Sequence, residues 1–91
     1  MAPVEEGEVL AILVRKPSAI RILRILRERG ELYTRRLLSL VGGHWDRSHA
    51  TLNWLASVGL VERRPDGRRV WNSITRRGEE ILELLEGLGL A

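Results

Sequence analysis

Four arginines bracket one short turn. Glu62 to Val70 reads ERRPDGRRV, with Arg63 and Arg64 before Pro65-Asp66-Gly67 and Arg68 and Arg69 directly after it. A guanidinium carries a fixed charge and a planar fork of N–H donors that pairs bidentately with phosphate or with the O6/N7 edge of guanine. Crowding four of them around a turn gains nothing for folding, because like charges repel, so the cluster calls for an anionic counterpart. Exposed hairpins also carry charge to discourage edge pairing, but four cations around a single Asp exceed that need. The chemistry indicated is contact with phosphates or with a minor groove, Arg68 at the tip foremost.

Other groupings of reactive residues lead nowhere. His44, Asp46 and His49 match no standard metal-ligand spacing, and the 91 residues include no cysteine to support a thiolate site or a disulfide framework. Ser48 and His49 are neighbours whose side chains leave a helix about 100° apart, so they are no nucleophile and base pair. No glycine-rich phosphate loop and no paired carboxylates stand out. The expectation is a protein that is not an enzyme and needs neither cofactor nor metal.

The formal net charge of +3 conceals a segregation. All fifteen Lys and Arg lie between Arg15 and Arg77, where five acids oppose them, so that this stretch carries +10 while residues 1–14 carry −3 and residues 78–91 carry −4. A basic body between acidic ends implies an anionic partner. Fourteen of the fifteen cations are arginine. A GC-rich genome or a hot habitat explains that ratio as well as phosphate chemistry does, but neither explains the segregation. The length suits one domain, residues 1–91, whose small core buries roughly 60 to 70 % of the unfolded surface, so a partner subunit would add stability. The opening MAPVEEGEVLAILVRK combines an acidic start with a short apolar run, Val9 to Val14, and suits neither a signal peptide nor a membrane span; a cytoplasmic protein without membrane contact is expected.

The elements that must position these arginines follow from periodicity. Residues 4–15 place Glu early and Arg15 and Lys16 late, the charge order of a helix dipole. After Pro17, Ser18 is the expected N-cap of an amphipathic helix ending at Gly30, with Ile20, Ile22, Leu23, Ile25 and Leu26 on its apolar face and Arg21, Arg24, Arg27 and Glu28 on the other. Glu31 to Thr34 reads as a connector or stub strand. Thr34 is the expected cap of a third helix with Leu37, Leu40 and Val41 inward, broken at Gly42-Gly43. A fourth helix follows, with Asp46 as N-cap and Gly59 as its left-handed terminator. At 100° per residue its Ser48, Leu52 and Leu55 share one side; Asp46, Ala50, Asn53 and Ser57 centre the opposite side, flanked by Arg47, His49 and Trp54. Residues 60–64 and 68–74 read as strands joined at Pro65-Asp66-Gly67. Thr75 caps a last helix carrying Ile81, Leu82, Leu84, Leu85 and Leu88, more leucine than one small core absorbs. Trp45, Trp54 and Trp71 read as packing residues.

Four helices, a hairpin and a helix, in that order, resemble the winged helix-turn-helix domain of bacterial and archaeal transcription regulators such as the MarR, PadR and ArsR families. The strongest match is TLNWLASVGLVERRPDGRRVWNSITRRGEEIL, at Leu52, Leu55, Gly59, Leu60, Val61, Asp66, Gly67, Arg68, Ile74, Thr75 and Gly78. It extends over roughly residues 18–86. Asn72 departs from the aromatic usual late in the wing, and His44-Trp45 from the small polar residues usual before the recognition helix. The resemblance implies a mainly α fold with a small β-hairpin wing, the helix-turn-helix at about 34–58 and the wing at about 60–74. It implies base contacts from Arg47, His49, Ala50 and Asn53, and wing contacts from Arg63, Arg64, Arg68 and Arg69. Arg47 suits guanine, Asn53 adenine and Ala50 a thymine methyl.

The function expected is therefore a DNA-binding transcriptional regulator that reads duplex DNA through a recognition helix in the major groove and an Arg-rich wing, as a homodimer joined by its terminal helices, 4–15 and 75–88. The alternative is a winged-helix protein-interaction module of a transcription or other nucleic-acid complex that reads no bases. RNA or single-strand binding is a third reading, disfavoured by the few aromatics on strands. No small-molecule effector can be read from the sequence.

Overall fold

The computed structural model describes residues 5–91; the first residue of the expected 4–15 helix lies outside them. Five helices and three short strands follow in the order α1 (Glu6–Leu13), α2 (Pro17–Arg29), β1 (Leu32–Tyr33), α3 (Thr34–Val41), α4 (Trp45–Ser57), β2 (Val61–Asp66), β3 (Arg69–Ile74) and α5 (Arg76–Gly87). The mainly α architecture with a hairpin wing is as expected. Helix α2 is central, packing on α1, α3, α4, α5 and β3. Its Ile22, Leu23 and Leu26 are fully buried with Leu37, Leu52, Leu55, Leu60, Ile81, Leu82 and Leu85 from the elements around it.

Several boundaries differ from expectation for definite reasons. Helix α1 stops at Leu13, and Lys16 takes φ −123° and ψ 82° because Pro17 drives the residue before it out of helical conformation. Proline then occupies the first helical position of α2, where its missing N–H is harmless, so Lys16 and not Ser18 is the N-cap and no side chain caps the helix. Thr34 is the first residue of α3 and not its cap; its hydroxyl donates to the Val70 carbonyl at 3.2 Å instead. On α3 the buried residues are Leu37, Leu38 and Val41, with Leu40 half-exposed, since the first three form one stripe and Leu40 lies about 100° from its centre. Helix α4 begins one residue before Asp46, with His44 as an N-cap that makes no side-chain bond, so Asp46 is a first-turn acid and not the cap. Its other end is as expected: Gly59 has φ +79°, and the N–H groups of Gly59 and Leu60 reach back to Ala56 and Leu55.

The strands form one antiparallel sheet in the order β1-β3-β2. Val61 pairs with Ile74 and the register runs on to Asp66 opposite Arg69, so the turn is Gly67-Arg68 rather than Pro65-Asp66-Gly67. Gly67, at φ +60°, supplies the mirror-image conformation a two-residue hairpin requires. Pro65 fits inside β2 because it faces Val70 one step from the hydrogen-bonded pair beside the turn, and its missing N–H points off the edge of the sheet.

Two junctions lock the hairpin and α2 to α5. Thr75 accepts from the Gly78 N–H at 3.0 Å and donates to the Gly59 carbonyl at 2.7 Å, while its own N–H bonds the Leu60 carbonyl at 3.0 Å. Gly78 is buried directly over that carbonyl: a Cβ there would lie 2.3 Å from the Leu60 oxygen. Farther along α5, Glu86 accepts from both terminal nitrogens of Arg27, at 2.8 Å from Nη2, with Arg24 Nε 3.8 Å away. The hydrogen bond from Arg27 holds the Glu86 carboxyl below the usual glutamate range and raises the Arg27 guanidinium in turn. A carboxyl depressed on folding stabilises above its unfolded pKa, about 4.3, and that contribution fades as pH falls through the depressed folded value. Glu86→Gln is expected to lower the melting temperature slightly at neutral pH, with the difference from the parent vanishing on acidification through that window. Thermal melts of both proteins across pH check this, and a difference that persists in strong acid would contradict it.

Candidate nucleic-acid interface

Helix α4 turns Ser48, Thr51, Leu52 and Leu55 into the core. That leaves Asp46, Arg47, Ala50, Asn53 and Ser57 exposed and His49 half-buried, the division that the helical angles predict. Ser48 and Thr51 satisfy their hydroxyls locally, on the Gly42 and Arg47 carbonyls at 3.4 and 3.1 Å. The buried side is thus complete in itself, and the outer side presents polar groups to solvent.

Between the N-terminal half of α4 and the wing runs a groove of about 570 Å³ lined by Tyr33, Thr34, Arg35, Trp45, His49, Arg63, Arg68, Arg69 and Val70. It brings His49 together with three of the four wing arginines. Arg47 is not part of it: it lines a separate cleft of about 610 Å³ against the start of α2, and Ala50, Asn53 and Arg64 border neither. The groove carries Arg35, Arg63, Arg68 and Arg69 and no carboxylate, so its electrostatic preference is for an anion.

The four wing arginines are not equivalent. Arg68 is exposed at the turn, with no side-chain hydrogen bond or ion pair to the described residues. Arg69 lies with its guanidinium carbon 4.7 Å from the centre of the Tyr33 ring, held by a cation–π contact. Arg64 reaches Glu31 at 2.9 Å in an exposed ion pair, an attachment worth little and easily exchanged. Arg63 is half-buried and committed: Nε donates to Asn72 Oδ1 at 2.9 Å, Nη2 to Thr34 Oγ1 at 2.9 Å, and Nη1 to Asn53 Oδ1. Desolvation lowers its pKa, yet a guanidinium stays protonated. Of the four arginines expected to contact DNA, Arg63 alone is held inward, directed by β2 onto β3, α3 and α4.

Asn72, which departs from the aromatic usual at its place, is fully buried. Its Nδ2 donates to the Leu32 carbonyl and Thr34 Oγ1, each at 3.1 Å, while its oxygen takes the Arg63 bond. A buried amide must be satisfied this way or it destabilises. The three tryptophans also divide. Trp54 packs against the core, and Trp71 sets its ring edge-on to Tyr33 at 5.6 Å and donates to Asp66 at 3.2 Å. Trp45 is 48 % exposed, stacked at 6.3 Å and 10° on His49, so for this residue the packing expectation fails. Its place one residue ahead of Asp46, in the first turn of α4, was the available signal. Tyr33 and Arg35 were also missed, because nothing in the sequence shows that the stub strand joins the wing.

A helix-turn-helix of α3 and α4 followed by a two-stranded wing defines a winged helix-turn-helix protein. No protein-family model matches the sequence, and no curated protein matches it significantly. Solved structures do, and the chain is similar in fold to winged-helix transcription regulators. Against the transcriptional regulator Tm0710 of Thermotoga maritima it shows 28 % identity and a TM-score of 0.70, with 84 % of this chain and 56 % of that one covered. Against NadR, solved in complex with 4-hydroxyphenylacetate, the values are 25 % and 0.72, covering 96 % and 77 %. The plasmid-segregation protein TubR shares the fold at 18 % identity and a TM-score of 0.77, covering 96 % and 90 %. The chain spans about half the length of the first structures it matches. No helix of the described residues is long and apolar enough to cross a membrane.

Proposed function

We propose that this protein is a transcriptional regulator that binds duplex DNA, with α4 in the major groove and the wing against the neighbouring phosphates or minor groove. The observation that carries the reading is the groove itself: a cation-lined, carboxylate-free channel between the outer face of α4 and a wing whose Arg68 has no structural task. Arg47, His49, Ala50 and Asn53 present the base-reading groups, and Arg64, Arg68 and Arg69 the phosphate contacts. Arg64 leaves Glu31 for a phosphate at small cost.

The protein acts as a cytoplasmic homodimer on half-sites about one helical turn, roughly 34 Å, apart. Leu84 on α5, Leu88 and Leu90 beyond it and Val14 after α1 are exposed apolar residues that support an isologous contact at the end bearing the acidic helices. Titration of duplex and single-stranded oligonucleotides across salt concentrations tests the reading, with salt-dependent affinity for duplex expected. Absence of that affinity would leave a protein-interaction module in its place. Within the base-reading set, Asn53→Ala is expected to relax preference at one base pair by about tenfold while sparing the rest of the site. Equal weakening on every sequence would remove Asn53 from the reading set.

A further inference from the structure

Resting on the duplex-reading proposal, we infer that Arg63 is a positioning residue: it clamps the Asn53 amide in one polarity and so fixes which base-pair orientation α4 reads. A guanidinium only donates, so the Asn53 atom facing Arg63 Nη1 is the carbonyl oxygen. The amide nitrogen lies on the other side, 3.4 Å from His49 Nδ1 one turn earlier on the helix. The acceptor of Asn53 therefore points toward the wing and its donor back along α4. An unrestrained asparagine flips its amide at little cost and presents either order.

Arg63 cannot swing away to release it. Its Nε is held by Asn72, which is wholly buried and anchored to Leu32 and Thr34, and its Nη2 is held by the Thr34 hydroxyl. Residues of α3 and β3 thus hold one guanidinium, with β1 behind Asn72, and its remaining arm reaches α4. All three of its partners are uncharged, and no carboxylate among the described residues pairs with it. A stabilising ion pair therefore does not explain a desolvated arginine at this place, whereas orienting the exposed amide does. Bidentate pairing with adenine needs one acceptor for N6–H and one donor for N7 in fixed order, so a clamped Asn53 accepts adenine on one strand and rejects it on the other.

The test compares the parent protein with Asn53→Ala, Arg63→Ala, Arg63→Lys, Thr34→Val and the Arg63→Ala/Asn53→Ala double variant. Each is titrated at several salt concentrations with duplexes carrying each of the four base pairs at the position Asn53 reads. Arg63→Ala is expected to lose about tenfold discrimination at that position, with the double variant no worse than either single one. Arg63→Lys, which keeps the charge but loses the fork, should not restore it. The salt slope should stay at the parent value, whereas losing a phosphate contact lowers it by about 0.9. If the slope falls and all sequences weaken alike, Arg63 is a phosphate contact and the inference is overturned. Should Arg63→Ala fail to fold, Thr34→Val decides: it loosens the clamp and should lower discrimination at the same position, and unchanged discrimination overturns the inference. No salt-dependent duplex binding by the parent would overturn the DNA reading and this inference with it.

Discussion

Gly78→Ala is expected to destabilise the fold by about 3 kcal/mol, the sign opposite to ordinary helix behaviour. Gly78 lies within α5 and its φ is not positive, so on an exposed helix alanine would stabilise by about 1 kcal/mol. Here the added Cβ meets the Leu60 oxygen at 2.3 Å and Ile74 Cγ1 at 2.8 Å. The isoleucine can shift, but the carbonyl cannot, because it already accepts the Thr75 N–H at 3.0 Å and Thr75 caps α5. Relief requires moving α5 off the end of the wing, which loosens Ile81, Leu82 and Leu85 in the core. Urea denaturation of parent and variant measures the effect, and an alanine variant as stable as the parent would mean that helix and wing do not approach this closely.

The double variant Arg68→Ala/Arg69→Ala is expected to lose about a hundredfold in duplex affinity on every sequence, since a charged hydrogen bond contributes roughly 1.5 to 3 kcal/mol. The slope of log affinity against log salt should fall by nearly 2, about 0.9 for each phosphate released. Folding should barely change: Arg68 has no partner among the described residues, and Arg69 gives up only its place over Tyr33, worth about 0.5 to 1 kcal/mol. Anisotropy titrations at several salt concentrations measure both quantities. An unchanged slope would show that the wing does not meet the phosphates, whatever α4 does.

The architecture was readable because its strongest signals are local. Gly59 ends α4 with a left-handed residue, Thr75 caps α5, Gly67 turns the hairpin, and the apolar spacing of α2, α4 and α5 selects the buried faces; each depends on residues within a few positions. Missed boundaries trace to competing local rules. Ser18 and Asp46 are good capping residues, but Pro17 already fixes the start of α2, and α4 begins one residue before Asp46. Pro65 suggested a turn, yet an edge strand accepts proline wherever its N–H is not needed. On the candidate site, the outer face of α4 was legible and the division of labour among the arginines was not. Identical side chains at 63, 64, 68 and 69 take different roles because Asn72, Glu31 and Tyr33 meet three of them from β3, the α2–β1 connection and β1. Those partners lie 9 to 36 positions away, beyond any periodicity that a single strand displays.

The pairing of β1 with β3 also sets when the interface comes into being. Leu32 lies opposite Asn72 and Tyr33 opposite Trp71, so the sheet closes a loop of about 40 residues, an entropic cost met only late in folding. The contacts of α3 with α2 and with α4 join elements close along the chain and form sooner. A nascent chain with those helices outside the ribosome but β3 still inside would display the residues proposed to read bases and hold Asn53 in no fixed orientation. Selectivity is expected to arrive with the last third of the chain, at the same step that completes the fold.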